Sequence, residues 1–349
     1  MPSHPSDSRT KNWFSTAASN FVSNMLPDYT DNDTDSLPEA TTVHSTALEF
    51  WSQFTINTHP QDIDINIARG WLQREPIPTQ LRSQVWIHAL QADTKQAKVT
   101  LEKFNDSHCE YDDQIRKDLP RTFPEIPLIA LQSSQDSILE ILRSLALDDP
   151  SLGYCQGMSY IISPLISLGL SQPSVFAIVH RLLSQQNLHS FFRQDMRGLK
   201  LALYQHEFLL NLMDHDLFTH LADHGVTSLM YCSQWFLTFF AYHFPFEFVY
   251  YIIDLMVIEG PWLTLLRFSL SLLLKNSALI QSLEEPQDIT NHFKNLLNVY
   301  SGNFAAAVRD SFELDLCQRD LDALENEYAS SAESHTMHII SRSLEFFMK

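Results

Sequence analysis

The chain has 349 residues, enough to bury a large core in one or two domains. Hydrophobic residues make up 44% and charged residues 19%, which is typical of a globular protein, and the net charge of -19 argues against a protein that binds duplex nucleic acid. The four cysteines include no CxxC pair, so we predict neither a zinc module nor a disulfide framework and expect a reducing compartment.

Residues 1–45 are predicted to be an acidic, disordered N-terminal segment, because they are rich in Ser, Thr, Asp, Asn and Pro. They lack the apolar stretch of a secretory signal, and their acidic residues argue against a mitochondrial presequence. Within them, residues 13–26 place apolar side chains at helical spacing beside a nearly uncharged polar face. This pattern predicts a short amphipathic helix that packs on the domain itself, on a partner or at a membrane surface.

From residue 46 to residue 315, apolar residues recur every three or four positions and strand signals are nearly absent. The pattern predicts an all-α fold with one large helical domain, which a division into two helical lobes would also fit. The charged tail, residues 316–349, is predicted to be a C-terminal helical extension.

Some helix boundaries can be predicted from capping and breaking residues. Ser134 is expected to cap a helix, and residues 204–224 are expected to form one helix that stops at Gly225. Residues 235–274 are expected to form two or three buried helices, separated by the prolines and glycine around positions 245 and 260.

Two stretches, residues 151–180 and 224–246, contain no Asp, Glu, Lys or Arg. A membrane-spanning helix needs about 20 consecutive, mostly apolar residues. Both stretches are interrupted by proline and glutamine, so we predict buried core helices and no transmembrane segment.

The first motif with chemical potential runs from Ile115 to Pro124. Ile115, Asp118 and Thr122 would share one helical face. Pro120 lacks an N–H and disfavours helical geometry in the residue before it, so the helix should end just before Arg121. Arg121 would then project from a helix end beside a carboxylate. Periodicity alone favours an ordinary surface ion pair between Asp118 and Arg121.

The second motif runs from Ser151 to Met158 and contains two of the chain's eight glycines. Glycine permits backbone shapes that other residues avoid, so Gln156 is either presented to a partner or caps a backbone group in a tight helix connection. Cys155 has no histidine near it in sequence, which favours a buried thiol over a nucleophile.

Together the two motifs resemble the signature of TBC-domain Rab GTPase-activating proteins, I-x-x-D-x-x-R-T followed by G-Y-C-Q-G-M. Two further blocks resemble the same family in the same order. The first includes Arg82 and Trp86, and the second runs from Trp235 through Asp254 to Gly260. The resemblance covers roughly residues 65–310. Glu75 stands where the family usually has glycine, and Ile253 where it usually has tryptophan. These departures concern local geometry more than catalysis.

The resemblance implies a TBC (Rab-GAP) domain over residues 46–315 that accelerates GTP hydrolysis by a Rab-family small GTPase, a function in vesicle trafficking. Arg121 would be the arginine finger and Gln156 the glutamine finger, both acting in trans. The implied supporting residues are Asp118, Thr122, Tyr154 and Gly157, of which the first two would hold Arg121 and the last two Gln156. Residues implied as partner-binding or structural are Arg82, Trp86, Ile115 and Asp254.

On this interpretation the chain has no cofactor of its own, since GTP and Mg²⁺ belong to the partner and no phosphate-binding loop of the G-x-x-x-x-G-K-[ST] type occurs. We expect no intrinsic nucleotide hydrolysis, and a cytoplasmic location with transient recruitment to endomembranes, with residues 13–26 as a candidate membrane contact. A catalytically silent Rab-binding scaffold is the alternative.

A third hypothesis is a small-molecule hydrolase that uses Cys155 or a metal. Asp216, His220 and His224 have helical metal-ligand spacing, but no glutamate completes the H-E-x-x-H pattern. His335 and His338 form a weaker pair in the tail. We therefore predict no metal site.

Overall fold

The computed structural model describes residues 46–57, 64–105 and 107–331. Every regular element in these three ranges is a helix, as the sequence predicts. The predicted helix at 13–26 and the two tail histidines lie outside the described residues. No helix in the described ranges is both long and apolar enough to cross a membrane.

The α-helices in chain order are α1 (Ala47–Asn57), α2 (Ile65–Arg74), α3 (Thr79–Ala89), α4 (Thr94–Phe104), α5 (Asp112–Asp118), α6 (Pro127–Ala130), α7 (Gln132–Asp148), α8 (Met158–Ser167), α9 (Gln172–Ser184), α10 (Arg197–Met213), α11 (His215–Asp223), α12 (Ser228–Leu237), α13 (Phe246–Glu259), α14 (Pro261–Lys275), α15 (Ser277–Gln281), α16 (Pro286–His292), α17 (Phe304–Phe312) and α18 (Gln318–Ser331). Three 3₁₀ segments join them, at Leu119–Arg121, Gln185–Phe191 and Phe293–Tyr300.

Short polar side chains start several of these helices. Asp64, Asp93 and Ser171 each accept hydrogen bonds from backbone N–H groups in the first turn of α2, α4 and α9. Proline occupies one of the first two positions of α14 and α16, where its missing N–H has no intrahelical partner to lose.

Two predicted boundaries are wrong for identifiable reasons. Residues 204–224 do not form one helix, because Asp214 has a non-helical backbone (φ −149°, ψ 83°) and its side chain caps α11 by accepting from the N–H of Leu217. Ser134 does not cap α7, which already begins at Gln132; Ser134 lies buried inside its first turn. The expected breaks near Pro245 and Gly260 are confirmed, since α12, α13 and α14 are separated there.

One continuous cluster of buried apolar side chains runs from Ala47 to Leu324. Helices α13 and α14 lie at its centre, and every residue from Pro261 to Leu273 is buried. The two stretches without charged residues contribute to this core, as predicted. Burial of apolar surface on this scale is the main force that stabilises a helical domain.

The C-terminal helix α18 packs on α10. Gln205 is buried in α10; its side-chain amide donates to the carbonyl of Leu321 and accepts from the indole N–H of Trp262. Because both halves of the amide are satisfied, the polar group links α10, α14 and α18 at little desolvation cost.

Candidate functional site

In the arginine segment, residues 115–124, the helix ends where the sequence predicts. Helix α5 stops at Asp118, and Leu119–Arg121 continue as a single 3₁₀ turn that contains Pro120. The Arg121 side chain is 54% exposed, whereas that of Asp118 is 6% exposed. The fold therefore buries the carboxylate and leaves most of the guanidinium in solvent.

Two side chains contact the carboxylate of Asp118, one at each oxygen. Arg121 Nη2 pairs with Oδ1, which is the ion pair that periodicity favours, and the hydroxyl of Tyr154 donates to Oδ2 at 2.5 Å. Burial and the hydrogen bond to Asp118 raise the pKa of Tyr154, so its hydroxyl stays protonated and can donate. The hydroxyl of Tyr154, a residue predicted to hold Gln156, thus contacts the carboxylate that pairs with Arg121.

The glutamine segment, residues 151–158, has a positive φ angle at two positions, and both are glycine. Gly153 has φ +59°, and a Cβ there would lie 2.8 Å from the hydroxyl oxygen of Tyr111. Gly157 has φ +107° and directly precedes α8. A residue with a side chain would be strained at either position, so the two glycines permit the bend that carries Gln156.

The side chain of Gln156 is exposed and makes no hydrogen bond with any other described residue. The expectation that it caps a backbone group is therefore wrong for the described part of the chain. An amide both donates and accepts hydrogen bonds, and here both capacities are open to solvent or to a partner.

Besides the hydrogen bond from Tyr154, two hydrogen bonds join the arginine segment to Ser159 and Tyr160 in the first turn of α8. The buried hydroxyls of Thr122 and Ser159 are 2.8 Å apart, and Thr122 also donates to the carbonyl of Asp118. The hydroxyl of Tyr160 donates to the carbonyl of Arg121 at 2.9 Å. Hydrogen bonds thus connect Asp118, Arg121 and Thr122 to Tyr154, Ser159 and Tyr160, and the sequence analysis missed the last two.

Arg82, Trp86 and Asp254 form a separate polar cluster in the interior. Arg82 Nε and Nη2 contact both carboxylate oxygens of Asp254 at 3.1–3.2 Å, and the indole N–H of Trp86 donates at 2.8 Å. Burial raises the pKa of Asp254 to about 6, against the opposing effect of Arg82.

Ile115 is also buried, in the core. Arg82, Trp86, Ile115 and Asp254, predicted to be partner-binding or structural, are all buried, which favours the structural role.

The residues of the hydrolase hypothesis are poorly suited to catalysis. Burial raises the pKa of Cys155 to about 11, so the thiol is protonated at neutral pH and is a weak nucleophile. His220 and His224 lie side by side, but no group of three or more potential ligands in the described ranges could hold a metal ion.

A family model for the Rab-GTPase-TBC domain matches residues 79–281. The chain is 32% identical over 233 residues to the GTPase-activating protein GYP5 of Saccharomyces cerevisiae, covering 65% of this chain and 25% of that protein. It is 34% identical over 260 residues to the GTPase activating protein Gyp51 of Schizosaccharomyces pombe, covering 68% and 25% respectively. The chain therefore spans about a quarter of the length of these relatives.

Two solved structures share the fold. The Chlamydomonas flagellar RabGAP TBC domain superposes with a TM-score of 0.64 at 16% identity, covering 89% of this chain and 97% of that one. The Ypt/Rab-GAP domain of Gyp1p gives a TM-score of 0.62 at 17% identity, covering 76% and 96%. Since the family model also matches more than half of the residues, the chain belongs to the Rab-GTPase-TBC domain family.

Proposed function

We propose that this chain accelerates GTP hydrolysis by a Rab-family small GTPase, and that Arg121 and Gln156 enter the partner's nucleotide site. The observation that carries the proposal is that these two side chains are exposed while the residues that hold their backbones are buried. Three hydrogen bonds join the segment around Arg121 to the segment around Gln156, although the two are more than 30 residues apart in sequence. Names of relatives such as GYP5 point to the same activity.

Arg121 suits the stabilisation of charge on a transferring phosphoryl group. A guanidinium offers five N–H donors, and only one contact to Asp118 occupies them among the described residues. Arginines supplied in trans to small GTPases accelerate hydrolysis by about 10³–10⁵-fold. On the proposed mechanism, Asp118 holds the side chain until it reaches the phosphates, and the stronger charge of the transition state draws it forward.

Gln156 suits the positioning of the attacking water. Its side-chain oxygen can accept a hydrogen bond from the water while the amide nitrogen donates to a second group. Gly153 and Gly157 permit the bend that leaves Gln156 exposed. GTP and Mg²⁺ are part of the substrate on this proposal, since both are bound by the GTPase.

The proposed place of action is the cytoplasm, with transient recruitment to endomembranes where a trafficking GTPase is bound. Residues 13–26 are the proposed peripheral membrane contact. Their uncharged polar face predicts binding driven by apolar area, so binding to vesicles should depend little on anionic lipid.

The proposal is tested by measuring GTP hydrolysis across a panel of Rab GTPases, with catalytic amounts of the wild-type chain, Arg121→Ala and Gln156→Ala. We expect acceleration of one or a few Rabs, reduced at least about 100-fold in each variant. Arg309→Ala and Gln287→Ala are matched controls, because both residues are exposed and belong to α17 and α16, which carry no residue of the candidate site, so they should leave the rate unchanged.

Either of two results would contradict the proposal. GTP-dependent Rab binding without acceleration would leave a silent scaffold. Acceleration that survives Arg121→Ala would assign the chemistry to other residues.

A further inference from the structure

The residue two positions after Arg121 has an unusual backbone conformation. Phe123 has φ +48°, in the left-handed region that residues with bulky side chains rarely adopt. Such a conformation persists only where the surroundings hold it. The contacts around Phe123 therefore also determine the course of the chain that carries Arg121.

The ring of Phe123 is held between two other aromatic rings. The centroid of Tyr160 lies 4.8 Å away and that of Phe246 4.7 Å away, both in edge-to-face geometry. This arrangement is favourable for aromatic pairs and restricts the ring from two sides. Phe246 belongs to α13, in the rigid centre of the fold, whereas Tyr160 belongs to the first turn of α8.

Tyr160 contacts both segments of the candidate site. Its ring packs on Phe123, its hydroxyl donates to the carbonyl of Arg121, and its backbone N–H donates to the carbonyl of Gly157 at 3.0 Å. The same residue is thus bonded to the main chain of the arginine and to the residue that follows Gln156. Ser159 makes a second bridge, but it contacts Thr122 rather than Arg121 itself.

We propose that Tyr160 is a positioning residue that fixes the main chain of Arg121 relative to Gln156, an inference that rests on the proposed function. The hydroxyl restrains the arginine carbonyl, and the ring keeps Phe123 in its strained conformation. Without the hydroxyl, the arginine segment would sample more orientations, and fewer of them would place both side chains at one phosphate. The loss would therefore appear in the rate of the catalytic step, kcat, rather than in binding to the GTPase.

The test compares Tyr160→Phe with Tyr250→Phe. Both variants remove a tyrosine hydroxyl that donates to a backbone carbonyl in this domain; in the control, the acceptor is Pro164 of α8 at 3.2 Å. Stimulated hydrolysis is measured as a function of Rab concentration. For Tyr160→Phe we expect kcat to fall about 5- to 10-fold with KM within about 2-fold, and for Tyr250→Phe we expect kcat to stay within about 2-fold. An equal loss of kcat in both variants would overturn the proposal.

A second measurement needs no GTPase. Hydrogen exchange is followed in a peptide covering residues 119–126, where the N–H groups of Thr122 and Ile126 are hydrogen-bonded. We expect faster exchange in Tyr160→Phe and wild-type exchange in Tyr250→Phe. If the wild-type chain accelerates no Rab, the proposed function fails, and the exchange data still decide whether Tyr160 restrains Arg121. Unchanged exchange in Tyr160→Phe would overturn the positioning role.

Discussion

Two of the arginine–aspartate pairs among the described residues, Arg82–Asp254 and Arg121–Asp118, have the same chemistry in opposite settings. Arg82 contacts both oxygens of Asp254, and the two side chains are 6% and 0% exposed. Tyr250 and Tyr251 lie against its guanidinium, with ring centroids 5.2 Å and 5.7 Å from Cζ.

Arg121 contacts one oxygen of Asp118, shares that carboxylate with Tyr154, and is mostly in solvent. A fully enclosed pair holds helices together, whereas a pair whose arginine is exposed leaves that arginine free to exchange its partner.

The largest effect that separates the two pairs is expected in stability. Arg82→Ala would leave the carboxylate of Asp254 buried without its cation, which should lower the free energy of unfolding by about 3–5 kcal/mol. Uptake of a proton by Asp254, whose pKa is already raised to about 6, limits the loss. Arg121→Ala also removes the cation from a buried carboxylate, but Asp118 keeps its hydrogen bond from Tyr154 and the exposed position of the lost guanidinium admits water, so the loss should be smaller, about 1–2 kcal/mol. Urea unfolding of both variants measures the difference, and equal losses would show that the two pairs are not distinct.

A smaller effect, about 2 kcal/mol in transition-state stabilisation, is expected for Asp118→Asn. The change keeps the shape of the side chain but removes the charge that holds Arg121. Stimulated hydrolysis should fall about 10- to 100-fold.

The matched control for Asp118→Asn is Asp112→Asn, because Asp112 lies in the same helix α5 and pairs with Arg143 at 2.9–3.0 Å. The control should lose stability while keeping its activity. If both variants lose activity equally, a general loosening of α5 explains the effect, and Asp118 has no special relation to Arg121.

The same comparison shows which parts of the site the sequence can predict. Pro120 ends a helix through local sterics, and Gly153 and Gly157 permit a bend through local sterics, so the placement of Arg121 and Gln156 follows from short-range rules. The role of Tyr154 and the contribution of Tyr160 depend on hydrogen bonds that span 36 and 39 positions. Periodicity carries no information on such pairings.

The role of Tyr160 was not predicted for a further reason: it lies among the apolar residues of α8, where an aromatic side chain is expected to serve only in packing. The missed break at Asp214 has a related cause. The apolar periodicity continues across it, and only the contact between its side chain and the next helix reveals the cap.

Another buried titratable side chain, His206, extends the comparison to a group whose ring nitrogens have no hydrogen-bond partner among the described residues. His206 is fully buried, neither ring nitrogen is hydrogen-bonded to a described residue, and burial lowers its pKa to about 3. Unlike Arg82, it has no counter-ion, so the fold tolerates it only in the neutral form. The unfolded chain binds a proton at this residue below about pH 6.5, and the native state does not.

His206 should therefore make the domain less stable as pH falls. Its contribution is complete above about pH 6.5 and is lost at about 1.4 kcal/mol per pH unit below it, or about 2 kcal/mol at pH 5. Urea unfolding between pH 7.5 and pH 5 measures the slope. His206→Leu should remove this loss, and the difference between variant and wild type at each pH isolates it. The remaining change combines a loss from His243, whose pKa burial lowers to about 4, with an opposing gain from Asp254, which takes up a proton in the native state because its pKa is raised to about 6. A slope that survives His206→Leu in full would mean that His206 reaches solvent or a partner in the native state.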